Sequence, residues 1–138
     1  MKKKDIKILL VDDEQDILEI VGYNLSQEGY QIVTAENGKE AIAKAKKEHP
    51  HLIIMDVMMP EMDGMEACEN IRKIPELQDT IITFLTARSE DYSQVAGFDA
   101  GADDYIAKPI KPKVLISKVQ ALLRRLKGVE GISSSTTL

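Results

Sequence analysis

The sequence has a single cysteine, no long apolar run and no excess of positive charge. Cys68 alone excludes an internal disulfide and a zinc site built from cysteines, so we interpret it as a reduced, packed thiol. The formal net charge of -5 argues against binding of nucleic acid or an anionic membrane through bulk charge. No apolar stretch approaches the roughly 20 residues of a membrane-spanning helix. The run at residues 8–11 ends at Asp12 and Asp13, which is atypical of a signal peptide. We therefore expect a cytoplasmic protein that does not bind membranes.

The chain has 138 residues and 43% hydrophobic content, which is enough for one core and too little for two. We predict one domain over residues 1–127. Residues 128–138 are small and polar and show no periodicity, so we predict a linker or disordered tail there. That tail looks cut off, and we expect an output domain, absent from this chain, to follow it.

Short aliphatic or β-branched runs alternate five times with segments of helical spacing. The runs predict strands at residues 6–11, 30–35, 52–55, 80–85 and 105–107. Residues that end helices follow the first four helical segments, namely Gly29, Pro50, Pro75 and Gly101. Strands that are nearly continuous apolar runs are typical of a parallel sheet covered by helices on both faces. The pattern therefore predicts an α/β fold with five parallel strands and five helices.

Acidic residues follow two of the predicted strands. Asp12 and Asp13 come after the first strand, and Asp56 comes after the third. The carboxyl ends of parallel strands form the ligand-binding edge of such a sheet, so we expect these carboxylates to lie close together. Three clustered carboxylates repel one another unless a cation neutralises them. Oxygen ligands alone predict Mg²⁺, with Mn²⁺ as a substitute and the Met58 carbonyl as a further ligand.

Two more polar residues follow the other strands at the same edge. Lys108 follows the fifth strand and adds a positive charge, while Thr86 follows the fourth and can donate a hydroxyl hydrogen bond. A metal ion and an ammonium facing a carboxylate make a site for a doubly charged anion, for which phosphate is the natural candidate. In-line attack by Asp56 on phosphorus would give an aspartyl phosphate.

Each residue taken alone also has a simpler interpretation. Asp12 or Asp13 could cap the following helix, Asp56 could begin a turn, and Asp63 with Gly64 reads as a turn. Lys108 before a proline could be an ordinary solvated lysine. The occurrence of all of them at predicted strand ends favours the phosphoryl site over these separate explanations.

Two other functions on the same sheet order are disfavoured by local sequence. A turnover phosphatase that works through an aspartyl phosphate would want a second aspartate at position 58, where this chain has Met58. A flavin-binding module would need a loop rich in serine, threonine and glycine after the first strand. The chain has DDEQD there, which would repel a phosphate in the absence of a metal.

Four fragments, LLVDDE, LIIMDVMMPEMDG, IITFLTAR and GADDYIAKPI, resemble the receiver domain of two-component response regulators in order and spacing. The resemblance covers roughly residues 5–127 and is greatest to the receivers of winged-helix transcription-factor regulators. It implies a flavodoxin-like, doubly wound three-layer sandwich with strand order 2-1-3-4-5. It also implies a protein that catalyses its own phosphorylation and dephosphorylation rather than the turnover of a separate substrate.

The resemblance assigns roles to residues at the predicted site. Asp56 would be the phosphoacceptor, Asp13 a direct metal ligand and Asp12 a partner in the next layer or through water. The carbonyl of Met58 would bind the metal. Lys108 would pair with Asp56 at rest and with the phosphoryl group afterwards.

The remaining roles concern the pocket and the switch. Thr86 and Tyr105 would form the switch pair, and the small Ala87 would leave room for the phosphoryl donor. Pro109 would line the pocket after a cis bond to Lys108. Phosphorylation would then change the surface of helix 4, strand 5 and helix 5.

The resemblance also implies partners. A sensor histidine kinase would donate the phosphoryl group, and the output would be transcription, with a stand-alone receiver or scaffold as the alternative. The chain has no basic helix-turn-helix segment, so we expect no direct binding of nucleic acid.

A homodimer is a further hypothesis. Residues 88–104 contain five acidic residues against one arginine, and residues 111–127 contain six basic residues and no acid, so helix 4, strand 5 and helix 5 could be self-complementary. Equally, the basic residues could complement the dipole of a solvated helix. The charged pair that similar regulators place on helices 4 and 5 is replaced here by Gln94 and Val114.

Overall fold

One sheet of five parallel strands forms the centre of the protein, in the order β2-β1-β3-β4-β5. A computed structural model describes residues 1–87 and 94–126, with residues 94–96 described by their backbone alone. The strands are β1 (Lys7–Val11), β2 (Gln31–Ala35), β3 (Leu52–Asp56), β4 (Ile81–Thr86) and β5 (Asp104–Ala107). Each lies within one residue of its predicted position, and the predicted order is confirmed.

Five α-helices connect or follow these strands within the described residues. They are α1 (Gln15–Gln27), α2 (Gly38–Glu48), α3 (Gly64–Arg72), α4 (Gln94–Asp99) and α5 (Pro112–Leu123). Two short 3-10 turns, Lys3–Asp5 and Pro75–Leu77, were not predicted. The predicted stop signals are confirmed at Gly29 and Gly101, whose φ values of 107° and 109° lie in the left-handed region that glycine tolerates.

Alternate residues of the strands point to opposite faces, so the sheet has an apolar core on each side. Ile8, Leu52 and Leu85 pack in one core with residues of α1 and α5. Leu9 and Phe84 pack in the other core with residues of α2 and α3. The doubly wound three-layer sandwich predicted from the alternation is therefore confirmed, and the fully buried β3 lies at its centre.

The strand register determines which residues meet at the carboxyl edge. Val11 pairs with Met55 across β1 and β3, so the chain leaves both strands at the same level. Asp56 pairs with Leu85 on β4, and Thr86 pairs with Ala107 on β5. Asp56 and Thr86 are thus the last residues of β3 and β4, whereas the sequence predicted that each would directly follow its strand.

None of the helices in the described ranges has the length and apolar character required to cross a bilayer. The linker or tail predicted at residues 128–138 lies outside the described residues. Glu90 and Asp91, which contribute to the acidic segment of the dimer hypothesis, lie outside them as well.

Candidate functional site

Three carboxylates meet at the carboxyl edge of the sheet. Asp12 and Asp13 lie in the turn after β1, and Asp56 ends β3. Asp12 is fully buried, Asp56 is 4% exposed and Asp13 is exposed. One oxygen of each carboxylate lies within 4.8 Å of the others. Residues more than 40 positions apart in the sequence are thereby brought into one acidic cluster.

Lys108 supplies the positive charge at this cluster. It follows β5, and its amide donates a hydrogen bond of 2.8 Å to the carbonyl of Thr86. Its ammonium lies 3.0 Å from Asp12 Oδ2 and 3.7 Å from Asp56 Oδ1. The ammonium of Lys108 is therefore closer to Asp12 than to Asp56, although the family resemblance implied Asp56 as its partner at rest. The peptide bond to the exposed Pro109 is cis, as that resemblance also implied.

Local hydrogen bonds hold two of the carboxylates in their turns. Asp12 Oδ1 accepts a hydrogen bond of 2.9 Å from the amide of Glu14, and Asp56 Oδ1 accepts one of 3.3 Å from the amide of Met58. The N-cap residue of α1 is Glu14, and its side chain makes no capping hydrogen bond. Asp12 and Asp13 are therefore not the N-cap of α1, the simpler role considered above for these two residues.

The approach of α3 to β3 is so close that it requires glycine. The amide of Gly64 donates to the carbonyl of Val57 at 2.8 Å. A Cβ at Gly64 would lie 2.3 Å from the carbonyl oxygen of Asp56, well inside van der Waals contact. Asp63, interpreted from the sequence as part of a simple turn, is instead the N-cap of α3 and accepts from the amide of Glu66. The helix start is thus fixed directly against the backbone of Asp56.

Burial and mutual repulsion change the protonation equilibria of the cluster. Burial, and next the charge of Asp12, raise the pKa of Asp56 to about 6 from an ordinary value of 3.8. Burial also raises the pKa of Asp12. Burial alone would lower the pKa of Lys108, but the neighbouring carboxylates of Asp12 and Asp56 raise it above its ordinary value. The carboxylates therefore carry more negative charge than the single lysine neutralises.

The donor set fits a hard divalent cation. Its side-chain donors are all carboxylate oxygens, which Mg²⁺ prefers. Asp12 Oδ2 is buried and accepts no hydrogen bond of normal geometry from the described residues, although the Lys108 ammonium lies 3.0 Å from it. Met58 is 75% exposed, and its amide donates to Asp56 Oδ1, so its backbone lies beside the cluster. That the Met58 carbonyl completes the ligand set stays a prediction.

The predicted switch residues lie on one face of the sheet. Phe84 pairs with Tyr105 across β4 and β5, and Thr86 is two residues further along β4, so Thr86 and Tyr105 point the same way. Thr86 is 3% exposed and Tyr105 is partly exposed. Ala87, which directly follows Thr86, is exposed. Their roles as switch and donor pocket stay predictions.

Glu14 is a site residue that the sequence reasoning missed. Its Oε2 lies 3.7 Å from the ammonium of Lys108, although most of its side chain is exposed. The only signal was its place directly after Asp12 and Asp13, in the DDEQD segment that was considered only as a loop that would repel a phosphate. Among the described residues, Lys108 thus has three carboxylate neighbours within 4 Å, namely Asp12, Glu14 and Asp56.

Basic residues of α5 and the segment that follows it pair with acidic residues at β5 within the same chain. Arg125 lies 3.4 Å from Asp103, and Lys118 lies 3.8 Å from Asp104. Part of the charge complementarity on which the dimer hypothesis depends is therefore satisfied inside one molecule. Val114 is 47% exposed on α5, whereas the side chain of Gln94 lies outside the described residues.

The family model and the curated relatives that match this chain all indicate a response regulator. Residues 8–120 match the family model described as the response regulator receiver domain. The chain is 45% identical over 119 residues to the alkaline phosphatase synthesis transcriptional regulatory protein PhoP of Bacillus subtilis, a match that covers 86% of this chain and 49% of PhoP. It is also 45% identical over 132 residues to the transcriptional regulatory protein ResD of the same organism, covering 96% of this chain and 54% of ResD. The chain spans about half the length of these curated relatives.

Solved structures give the same result. The chemotaxis response regulator CheY4 of Vibrio cholerae superposes with a TM-score of 0.82 at 36% identity, covering 86% of this chain and 98% of CheY4.

Proposed function

Because the chain belongs to the family of response regulator receiver domains, we propose that it accepts a phosphoryl group from a sensor histidine kinase on Asp56. The observation that carries the proposal is the arrangement around Asp56. Its carboxylate lies in a cluster with Asp12 and Asp13, and the ammonium of Lys108 is 3.7 Å from Asp56 Oδ1. Lys108, together with a cation held by the carboxylates, would supply positive charge where the phosphoryl group adds negative charge.

The chemical step is an in-line transfer. An oxygen of Asp56 forms a bond to phosphorus while the P–N bond of the donor phosphohistidine breaks, and the electron pair of that bond returns to the imidazole. Lys108 neutralises charge on the phosphoryl oxygens and leaves its present contact with Asp12. The exposed Ala87 presents only a methyl group at the mouth of the site, which leaves space for the donor.

A divalent cation belongs to this proposal. Asp12, Asp13 and Asp56 would hold Mg²⁺, or Mn²⁺ in its place, with the carbonyl of Met58 as a further ligand. When bound, the cation would neutralise both the carboxylates and the transferred phosphoryl group.

The readout would be a packing change on β4 and β5. The Thr86 hydroxyl would move to bond the phosphoryl group, and the Tyr105 ring would turn into the volume that Thr86 vacates. Both side chains lie on the same face of neighbouring strands, which supports their coupling. The altered surface would comprise α4, β5 and α5.

The regulated process would be transcription. PhoP and ResD are transcriptional regulators, and each is about twice as long as the part that this chain matches. We propose that the switched surface controls a DNA-binding output domain rather than DNA directly. The alternative is a stand-alone receiver or scaffold that acts by protein–protein contact.

The test is the intact mass of the protein after incubation with acetyl phosphate and Mg²⁺. We expect a gain of one phosphoryl group that is absent in Asp56→Asn and in the presence of EDTA. A control variant, Asp99→Asn, removes an exposed carboxylate of α4 and should be labelled normally. No gain with either acetyl phosphate or a phosphorylated histidine kinase would overturn the proposal.

A homodimer through α4, β5 and α5 also stays a prediction. Sedimentation with and without beryllofluoride, a phosphoryl mimic, tests it. A monomer in both states at tens of micromolar would count against a dimer.

A further inference from the structure

Lys118, on the side of α5 next to the sheet edge, contacts the proposed switch tyrosine in two ways. Its Nζ donates a hydrogen bond of 2.7 Å to the carbonyl of Tyr105. The same ammonium lies 4.9 Å from the centroid of the Tyr105 ring, within the range of a cation–π contact. One lysine therefore contacts both the backbone and the ring of a single residue.

The backbone of Tyr105 explains why a donor is needed at this place. β5 is an edge strand, and the N–H and C=O of one residue in a strand point to the same side. The amide of Tyr105 donates a hydrogen bond of 2.8 Å to Asp104 Oδ1, and its carbonyl accepts one from Lys118. Both groups therefore face away from β4. An edge carbonyl left without a donor would depend on water.

Asp104 and Lys118 also form an ion pair with each other. Asp104 Oδ1 lies 3.8 Å from Lys118 Nζ, and the two side chains are 32% and 34% exposed. Together they form a closed set of contacts around Tyr105, with an acceptor for its amide, a donor for its carbonyl and a cation over its ring. Tyr105 and Lys118 line a groove of about 360 Å³ between β5 and α5, together with Val114 and Lys111.

We propose that Lys118 is a positioning residue that holds the Tyr105 ring at the β5–α5 edge in the unphosphorylated protein. The inference rests on the proposed function, which gives Tyr105 its role as a switch. A ring held by the ammonium must give up that contact before it can turn towards Thr86. Lys118 therefore biases the equilibrium of the switch towards its resting position, although it does not touch Asp56 or the phosphoryl group.

The main test is fluorine NMR of the protein labelled with 3-fluorotyrosine. The chain has four tyrosines, and Tyr105→Phe identifies the Tyr105 resonance. In the wild type, beryllofluoride with Mg²⁺ gives the activated position of that resonance. We expect Lys118→Met, without either addition, to move the resonance part of the way towards the activated position. Lys118→Arg keeps the charge and should restore the resting position.

The second readout is the rate of labelling by acetyl phosphate. Loss of a partly exposed cation–π contact corresponds to a population shift of about two- to fivefold, so Lys118→Met should be labelled faster by that factor. Lys113→Met removes an exposed lysine of the same helix and should leave both readouts unchanged. Thermal unfolding checks that each variant is folded, and Lys118→Gln serves as a second neutral variant.

The outcomes separate the two proposals. A wild-type protein that gains no phosphoryl group overturns the proposed function, and the Lys118 inference falls with it. A wild-type protein that is phosphorylated, while the Tyr105 resonance in Lys118→Met and Lys118→Gln stays at rest or moves away from the activated position, overturns the Lys118 inference alone. An unchanged labelling rate in both neutral variants does the same.

Discussion

The two edges of the sheet differ in how their charges are balanced. At the carboxyl edge, Asp12, Asp13 and Asp56 form one acidic cluster, the Lys108 ammonium contacts Asp12 and Asp56, and burial raises the pKa of Asp56 to about 6. At the amino edge, charges are matched. Lys7 lies 2.8 Å from Glu48 and lowers the pKa of that carboxyl. One edge keeps an excess of negative charge that costs stability, whereas the other uses its charges to hold the chain together.

Arg72 is the clearest example of a matched charge. It ends α3, and its guanidinium donates to the carbonyls of Gly101 at 2.9 Å and Thr80 at 2.6 Å. It also bonds Asp103 Oδ2 at 3.0 Å, and the same oxygen accepts from the amide of Ile82. The starts of β4 and β5 are thus tied to the end of α3 by one side chain.

The largest expected effect follows from removing this arginine. Arg72→Met leaves Asp103 and two carbonyls short of donors, so we expect the free energy of unfolding to fall by about 2–4 kcal/mol. Urea unfolding measures it, with Arg124→Met, an exposed arginine that follows α5, as the matched control. A loss below about 1 kcal/mol would mean that the amino edge does not depend on its matched charges.

Removal of a charge at the carboxyl edge should raise the free energy of unfolding, opposite to the effect at the amino edge. Because the folded pKa of Asp56 is about 6 against an ordinary 3.8, the folded state binds this proton more tightly than the unfolded state does. Without metal, the Asp56 contribution should therefore stabilise the protein as the pH falls from about 7 towards 4. Asp56→Asn should raise the free energy of unfolding near pH 8 by about 1–3 kcal/mol and remove that pH dependence.

Urea unfolding of metal-free protein across this pH range gives the measurement. Asp99→Asn, at an exposed position, serves as the control. If Asp56→Asn proved less stable than the wild type near pH 8, the excess negative charge would not be a cost to the fold.

The smallest of these effects concerns His51, at the amino edge. Its Nδ1 accepts a hydrogen bond of 3.0 Å from the amide of Lys7, and burial, with the charge of Lys7, lowers its pKa from the ordinary 6.5. The unfolded state therefore binds the proton more tightly. The His51 contribution to stability is complete above about pH 6.5 and is lost as the pH falls through the lowered folded value.

His51→Gln keeps an acceptor that does not titrate, so it should remove a loss of up to about 1 kcal/mol between pH 7 and 5. His49→Asn removes the other histidine, which is exposed, and should leave the slope unchanged. An identical slope in His51→Gln and the wild type would show that the two edges do not respond to pH with opposite signs.

The sequence predicted the architecture well because local pattern and register determine it. Continuous apolar runs located the five strands within one residue, and the positions after them located Asp12, Asp56 and Lys108 at one edge. Side-chain contacts of long, flexible residues were not predictable in this way. Lys108 lies closer to Asp12 than to Asp56, and the position of a residue after a strand does not specify which of two neighbouring carboxylates its side chain contacts.

Contacts between distant segments were missed for the same reason. Arg72 and Asp103 are 31 residues apart, and nothing in the sequence around either residue marks the other as a partner. The closed set of contacts around Tyr105 depends on how α5 lies against the sheet edge, which helical periodicity does not specify. Asp63 was interpreted as a turn because its cap role requires the exact start of α3.

The strand order also governs how the sheet can assemble while the chain is being made. Each strand after the first pairs with a strand that precedes it in the sequence: β2 and β3 with β1, β4 with β3, and β5 with β4. A chain synthesised from its N-terminus can therefore add every strand to an existing neighbour as it emerges. Every strand after β1 therefore finds a partner that has already been translated when it emerges.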